Sequence, residues 1–156
     1  MALIDSTYFV GEISLPVGKY SDLELFISRL EKQFLRKALG YELSKLVIEN
    51  TDPLVADLIA GSGQWEGFTN TGKESVIAYY VYYYYLRSKV TFTTSTGEKK
   101  PDNENSTDAT PAFKVMRAWD LMLKGLSRMD AYIQTVPELL DIYEPTDLGR
   151  VNAFDL

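Results

Sequence analysis

The chain contains no cysteine and no histidine among its 156 residues. Without cysteine it can form neither a disulfide nor a thiolate metal site. Histidine is the side chain that most often performs acid–base chemistry near neutral pH, and zinc sites usually need histidine or cysteine as a ligand. These two absences exclude most hydrolases and zinc enzymes. We therefore expect a protein that is not an enzyme and that uses no cofactor.

Long apolar runs and an excess of positive charge are also absent. The richest apolar run, Val76 to Leu86, is shorter than the roughly 20 residues that cross a bilayer, and it contains several tyrosine hydroxyls. The formal net charge is −6, whereas nucleic-acid affinity comes mostly from Lys and Arg. We expect no membrane span and no specific nucleic-acid binding.

The spacing of the apolar residues predicts a mainly α-helical chain that folds as one domain. In the first predicted helix, Leu23, Ile27 and Leu30 recur at the spacing that places side chains on one face. Such a stripe is buried against other helices, so we expect a small helical bundle. The predicted parts are an extended N-terminal arm, several helices, a protruding polar loop or β-hairpin, a long helix and an extended C-terminal tail: 1–19, 20–90, 91–110, 111–136 and 137–156.

Polar residues mark the predicted helix starts. Ser21 with Glu24, and Thr71 with Glu74, have the spacing of a capping box, in which each side chain binds the backbone amide of the other residue. Residues 52–53 are Asp and Pro, a pair that fits the N-cap and the first position of a helix. We therefore expect three helices to begin at these points.

The two irregular segments before and after the first four helices differ in composition. Residues 1–19 contain Pro16 and Gly18, and we expect an extended arm with a short strand around Tyr8. Residues 91–110 are rich in Thr, Ser, Asn and Asp, which predicts a loop or a hairpin with its turn near Gly97. Long loops in small domains are usually functional or disordered, so this one is a candidate contact region.

The predicted helix over residues 72–89 carries tyrosines on three faces: Tyr79 and Tyr83, Tyr80 and Tyr84, and Tyr82 and Tyr85. A helix that is apolar all round must be covered all round. The same residues favour a β-strand, which is the alternative. Three uses stay open for the tyrosines: a monomer core, a subunit interface, or a stacking surface for a ligand such as single-stranded nucleic acid. We expect that so small a fold cannot cover them, so that other chains do.

Three short patterns suggest chemistry but each lacks a required residue. Residues 67–73 match the start of a phosphate-binding P-loop, yet Glu74 stands where that loop needs Ser or Thr. Residues 102–108 alternate like calcium ligands but lack the glycine and the final glutamate of an EF-hand loop. Glu66 could act as an acid, but no partner carboxylate can be assigned to it. We interpret these segments as a glycine loop before a capped helix, a solvated polar loop and an exposed glutamate.

Several helix and loop patterns resemble the small helical head-to-tail connector (adaptor) proteins of tailed phages and prophages. They cover most of the chain and consist of secondary-structure patterns rather than chemical signatures. They are Glu24 to Ile27 with Phe34-Leu35 and Leu39-Gly40, Ala78 to Tyr83, Thr93 to Glu98, Asn103 to Ser106, and Ala118-Trp119.

The resemblance implies a ring of about a dozen copies in the virion neck, assembled in the bacterial cytoplasm. Such a ring bridges the portal protein and the tail or neck proteins, and DNA passes through its hole. An acidic subunit would let DNA slide without sticking, because like charges repel. Another neck or tail-completion protein, or a non-viral cytosolic interaction module, is the alternative. The expected interface residues are Tyr80, Tyr82, Tyr84, Tyr85, Phe92, Thr94, Thr96, Lys99, Lys100, Phe154 and Leu156.

Overall fold

The computed structural model describes residues 2–15, 22–90, 92–94, 97–99 and 111–150. It confirms the predicted mainly helical bundle. Among the residues with described structure, no helix combines the length and apolar character needed to cross a bilayer. The elements are α1 (Leu23–Leu39), α2 (Tyr41–Glu49), α3 (Ala56–Ala60), α4 (Val76–Val90), β1 (Phe92–Thr94), β2 (Gly97–Lys99), α5 (Pro111–Ile133) and α6 (Pro137–Leu140).

Helix α4 lies in the centre of the bundle. It packs against α5 along most of its length, and α1 covers another of its sides. The two long helices approach closely where Gly125 of α5 meets Val76 of α4. A Cβ atom built on Gly125 would lie 2.2 Å from Cγ1 of Val76, so any larger residue at position 125 would separate the helices. Glycine at this position therefore permits the α4–α5 contact.

The tyrosines of α4 are a correction to the sequence prediction. Tyr80, Tyr82 and Tyr85 are 0%, 2% and 0% exposed in a single copy of the chain. They were expected to form a subunit interface, and they are instead part of the core. The expectation that the fold cannot cover this helix is wrong for these three rings, since α1 and α5 cover two of its sides. Three other tyrosines of α4 stay partly exposed: Tyr79, Tyr83 and Tyr84.

The corner between α1 and α2 depends on Gly40. Its φ of +86° lies in the left-handed region, where side chains are strained, and a Cβ there would come within 2.8 Å of the carbonyl oxygen of Glu144. The backbone amide of Glu144 also donates to the carbonyl oxygen of Leu39, at 3.1 Å. The segment after α6 therefore packs on this corner. Leu139 and Leu148 are buried, so the part of the predicted C-terminal tail up to residue 150 is not extended.

The described part of the N-terminal arm, residues 2–15, is also not extended, which corrects a third prediction. It forms two short 3₁₀ turns, Ser6–Tyr8 and Gly11–Ile13, in place of the predicted strand. Four of its apolar side chains enter the core: Ile4, Tyr8, Phe9 and Ile13. The carboxylate of Glu31 on α1 accepts hydrogen bonds from the backbone amides of Leu3 and Ile4, and this attaches the arm to the bundle.

This attachment predicts a pH effect. Burial raises the pKa of Glu31 above its ordinary value of 4.5, although the amides of Leu3 and Ile4 oppose the shift. A group with a raised folded-state pKa stabilises the fold below its unfolded pKa and loses that contribution as pH rises through the folded pKa. We therefore expect the stability of the wild type to fall relative to that of Glu31→Gln as pH rises above 4.5.

Urea unfolding of both proteins across that pH range measures the difference directly. Glu24→Gln is the matched control, because the Glu24 carboxylate is exposed and accepts from the amide of Ser6. A stability difference between wild type and Glu31→Gln that stays constant with pH would contradict the prediction.

The helix starts agree only in part with the predicted caps. Asp52 accepts from the amide of Leu54 at 2.9 Å and begins a 3₁₀ turn that leads into α3, as predicted. Helix α4 begins later than predicted, because the hydroxyl of Ser75, not Thr71, accepts from the amide of Ile77. The predicted box at Ser21 lies outside the described residues, and α1 begins after Asp22 without a side-chain cap.

The predicted hairpin is present between α4 and α5. Strands β1 and β2 are antiparallel, and Thr94 pairs with Gly97. Gly97 therefore begins the second strand, in agreement with the predicted turn near it. Helix α5 ends at Ile133, three residues before the predicted end at 136, and Pro137 begins α6.

Candidate protein interface

Aromatic side chains remain partly exposed where α4 and α5 run side by side. Tyr83, Tyr84 and Trp119 are half-buried. The Trp119 ring lies 4.5 Å from the Tyr83 ring and 6.4 Å from the Tyr84 ring, measured between centroids. The Tyr84 ring also packs on buried Tyr80, at 4.7 Å. The exposed rings are thus held in place by the core beneath them.

An arginine and two largely exposed apolar residues extend this aromatic cluster toward the end of α4 that leads into the hairpin. The guanidinium of Arg87 lies 5.2 Å from the ring centroid of Tyr83 and donates to its hydroxyl at 2.9 Å. Met116 lies one helical turn before Trp119 and is 68% exposed, and Phe113 one turn further is 65% exposed. We call these six residues the hairpin-end surface: Tyr83, Tyr84, Arg87, Phe113, Met116 and Trp119.

The composition of the hairpin-end surface is typical of a protein interface. Tyr, Trp, Met and Arg are the side chains most enriched where proteins associate, and Trp, Tyr and Arg dominate binding hot spots. Fixed rings lose little conformational entropy when a partner covers them. The surface contains no carboxylate, so a partner would not have to desolvate an unpaired negative charge.

The structure brings only one of the expected interface residues, Tyr84, to the hairpin-end surface. Phe92, Thr94 and Lys99 lie in the hairpin strands. The other expected residues outside the core lie outside the described ranges: Thr96, Lys100, Phe154 and Leu156.

Sequence reasoning missed five members of the surface: Tyr83, Arg87, Phe113, Met116 and Trp119. Apolar residues at helical spacing predict a buried inner stripe on α5: Val115, Trp119, Met122, Leu126, Met129 and Ile133. Trp119 is instead half-exposed. Phe113 and Met116 are apolar residues outside that stripe. Their position outside the stripe was the sequence signal that could have indicated an exposed apolar surface. Tyr83 could not be distinguished from its neighbours because tyrosines occupy every side of α4.

A second candidate site is a polar groove of about 480 Å³ between the N-terminal turns, the glycine loop and α5. Two ion pairs cross it: Arg117 with Glu12 at 3.3 Å, and Arg128 with Glu66 at 3.0 Å. The ammonium group of Lys73 lies 4.5 Å from the centroid of the Tyr8 ring. The charges of this groove are therefore largely matched by each other or by an aromatic face.

The groove lacks the features of a catalytic centre. Burial raises the pKa of Tyr79, and the carboxylates of Glu74, Glu12 and Glu66 raise it further, so the phenol stays protonated and is a poor base at neutral pH. Across the described ranges, no three acidic side chains converge to hold a metal ion. The glycine loop serves packing, because a Cβ on Gly67 would lie 2.5 Å from the backbone of α3 and Gly61.

No protein-family model, curated protein or solved structure matches this chain. The helix and loop patterns of the sequence are therefore the basis of its resemblance to connector proteins.

Proposed function

We propose that this chain is a structural virion protein, a head-to-tail connector (adaptor) that forms a ring between the portal and the tail of a phage. It acts in the virion neck after assembly in the bacterial cytoplasm, and DNA passes through the ring without specific binding. The hairpin-end surface is the observation that carries the proposal. It supports a role in assembly, and the sequence resemblance supports the identity of that assembly.

The exposed side chains favour assembly energetically. Full burial of a Phe or Met side chain stabilises an association by about 1.5–3 kcal/mol each. Phe113 and Met116 are 65% and 68% exposed although the core is already complete around α4. They lie on the first two turns of α5, which packs along α4, and β1 follows α4 in sequence. An exposed apolar pair of this kind suits contact with a neighbouring ring or subunit.

The proposal has no catalytic component, because the polar groove holds paired charges and a protonated phenol. Another neck or tail-completion protein would use the same surface in a different layer of the particle. A non-viral interaction module would also use it, but as a monomer or dimer. The observation of closed rings would distinguish a connector from a non-viral module, which would be a monomer or a dimer.

We expect the purified chain at high concentration to form closed rings in negative-stain micrographs, and light scattering to give their mass. The double variant Phe113→Glu with Met116→Glu should abolish the rings because it places two charges at these exposed apolar positions. Both positions lie near the start of α5, where negative charge is favourable, so the melting temperature should stay close to wild type.

The matched control is Tyr41→Glu, because Tyr41 is 65% exposed and also begins a helix, α2. This variant should leave both the rings and the melting temperature unchanged. A wild-type chain that stays monomeric at every concentration, or a Phe113→Glu/Met116→Glu variant that still forms rings, would overturn the proposal.

A further inference from the structure

Resting on the proposed function, we infer that the outer face of α1 binds the acidic segment around α6 of a second copy of this chain. The two surfaces have opposite charge, and each contains one exposed leucine. Neither is part of the hairpin-end surface. The inference therefore names a lateral contact between neighbouring subunits that is separate from the hairpin end.

The first surface is a basic stripe along α1. Leu25, Arg29, Lys32 and Arg36 recur at intervals of four, three and four residues, which places them on one face of the helix. All four are exposed, and Leu25 is 72% exposed. The stripe is about 16 Å long, since an α-helix rises 1.5 Å per residue.

The cations of this stripe have no acidic partner within the residues that the structure describes. No carboxylate there lies within 4 Å of Arg29, Lys32 or Arg36. The two acids of α1 itself are occupied elsewhere: Glu31 binds the amides of the N-terminal arm, and Glu24 binds the amide of Ser6. The Arg29 guanidinium lies 4.9 Å from the ring centroid of Phe26, but its charge, like that of Lys32 and Arg36, is left without a carboxylate in a protein whose net charge is −6.

The second surface is the segment that contains α6. Residues 130–149 include five acidic side chains and no Lys or Arg. Glu138, Asp141 and Glu144 are exposed, and Leu140 among them is 39% exposed. The composition therefore mirrors that of the basic stripe: three charges of one sign around one exposed leucine.

The occupant is a second copy because the chain cannot join the two surfaces within itself. The segment after α6 is fixed at the C-terminal end of α1 by the hydrogen bond from the amide of Thr146 to the carbonyl oxygen of Lys37, at 2.7 Å. Leu25 lies at the opposite end of that helix. A contact between two different surfaces of identical subunits is head-to-tail, and repeating it gives a ring where the rotation closes.

Duplex DNA is the competing anionic partner, and the apolar member of each surface argues against it. Leu25 would face a phosphate backbone without benefit. When Leu25 packs against Leu140 of a second copy, both leucines bury apolar surface. The charges of the two surfaces form ion pairs, and salt screens these pairs. The contact should therefore weaken as ionic strength rises, but not vanish.

Charge reversal tests the inference on the full-length chain. We expect Arg29→Glu with Lys32→Glu, and separately Glu138→Lys with Asp141→Lys, to weaken self-association at least ten-fold by sedimentation velocity. Mixing the two double variants one to one should restore association, because each supplies the surface that the other has lost. The control is Lys45→Glu with Lys124→Glu. It changes the net charge by the same amount as the first variant, but at two exposed positions outside the stripe.

The outcomes separate this inference from the connector proposal. Rings that persist in both charge-reversal variants, or a mixture that fails to reassociate, overturn the inference and leave the connector standing. Open oligomers that respond to charge reversal support the inference and overturn the ring. If the stripe variant alters only the binding of a labelled DNA duplex, by fluorescence anisotropy, then the partner of α1 is DNA and the inference is wrong.

Discussion

Replacing Tyr80 by alanine is expected to lower the free energy of unfolding by about 3–5 kcal/mol, as for other large aromatic residues removed from a core. The ring is fully buried between α1 and α5, 5.1 Å from Phe34 and 6.3 Å from Trp119 between centroids. Its removal leaves a cavity at the centre of the bundle. The cavity could close only if both α1 and α5 moved inward. Urea unfolding followed by circular dichroism measures the loss.

Tyr84→Ala is the matched comparison, because Tyr84 is four residues further along α4, touches the Tyr80 ring and is only half-buried. We expect it to cost about 1–2 kcal/mol, within the ordinary range for point substitutions, and to weaken assembly. Equal losses at the two positions, or a Tyr80→Ala variant as stable as the wild type, would contradict the assignment of Tyr80 to the core.

The second large effect is expected at the crossing of α4 and α5. Gly125→Val places two methyl groups where a Cβ alone would meet Cγ1 of Val76 at 2.2 Å. Overpacking typically costs about 1–3 kcal/mol, and more where neither side can move. We expect a loss near 3 kcal/mol, because both partners are backbone-anchored on the two most extensively packed helices.

Ala131→Val provides the control, since Ala131 is exposed on the same helix and the change costs only a helix-propensity difference of about 0.5 kcal/mol. Combining Gly125→Val with Val76→Ala should restore more than half of the lost stability, because the second change removes the clashing methyl. Losses that simply add would show that positions 125 and 76 do not contact each other.

Local patterns predicted the helices well. The apolar stripe of α1 and the inner stripe of α5 follow from side-chain spacing, and Ile27 and Met122 are fully buried as that spacing requires. Asp52 and Gly40 mark a helix start and a helix end because their chemistry acts on backbone groups a few residues away. Features of this kind need no knowledge of the rest of the fold.

The N-terminal arm could not be predicted in the same way. Its anchor, Glu31, is 28 residues from Leu3, and a single glutamate on an amphipathic helix gives no sign that it will be buried. The start of α4 was missed for a related reason. Thr71 and Ser75 are both capping residues, and only the course of the glycine loop determines which of them reaches the helix.

The tyrosine helix shows how a correct pattern led to a wrong expectation. Rings on every side of α4 do require cover, but the sequence does not say which chain supplies it. Here α1 and α5 supply it, and the hydroxyl of Tyr85 donates to Asp22 at 2.8 Å, which allows a phenol to be buried. Tyr79, Tyr83 and Tyr84 reach the surface, Tyr79 at the polar groove and the other two at the hairpin-end surface. The candidate interface is therefore smaller than predicted and extends onto α5.

The central position of α4 has a mechanical consequence. Only one residue of the sequence, position 91, separates this helix from the hairpin, and its Tyr80, Tyr82 and Tyr85 are buried in the core. A pulling force applied to the hairpin would therefore be transmitted directly to α4. The packing of α4 against α1 and α5 would oppose that force as shear. A subunit built this way would resist extraction by a load on its protruding end more strongly than one whose hairpin joined a peripheral helix.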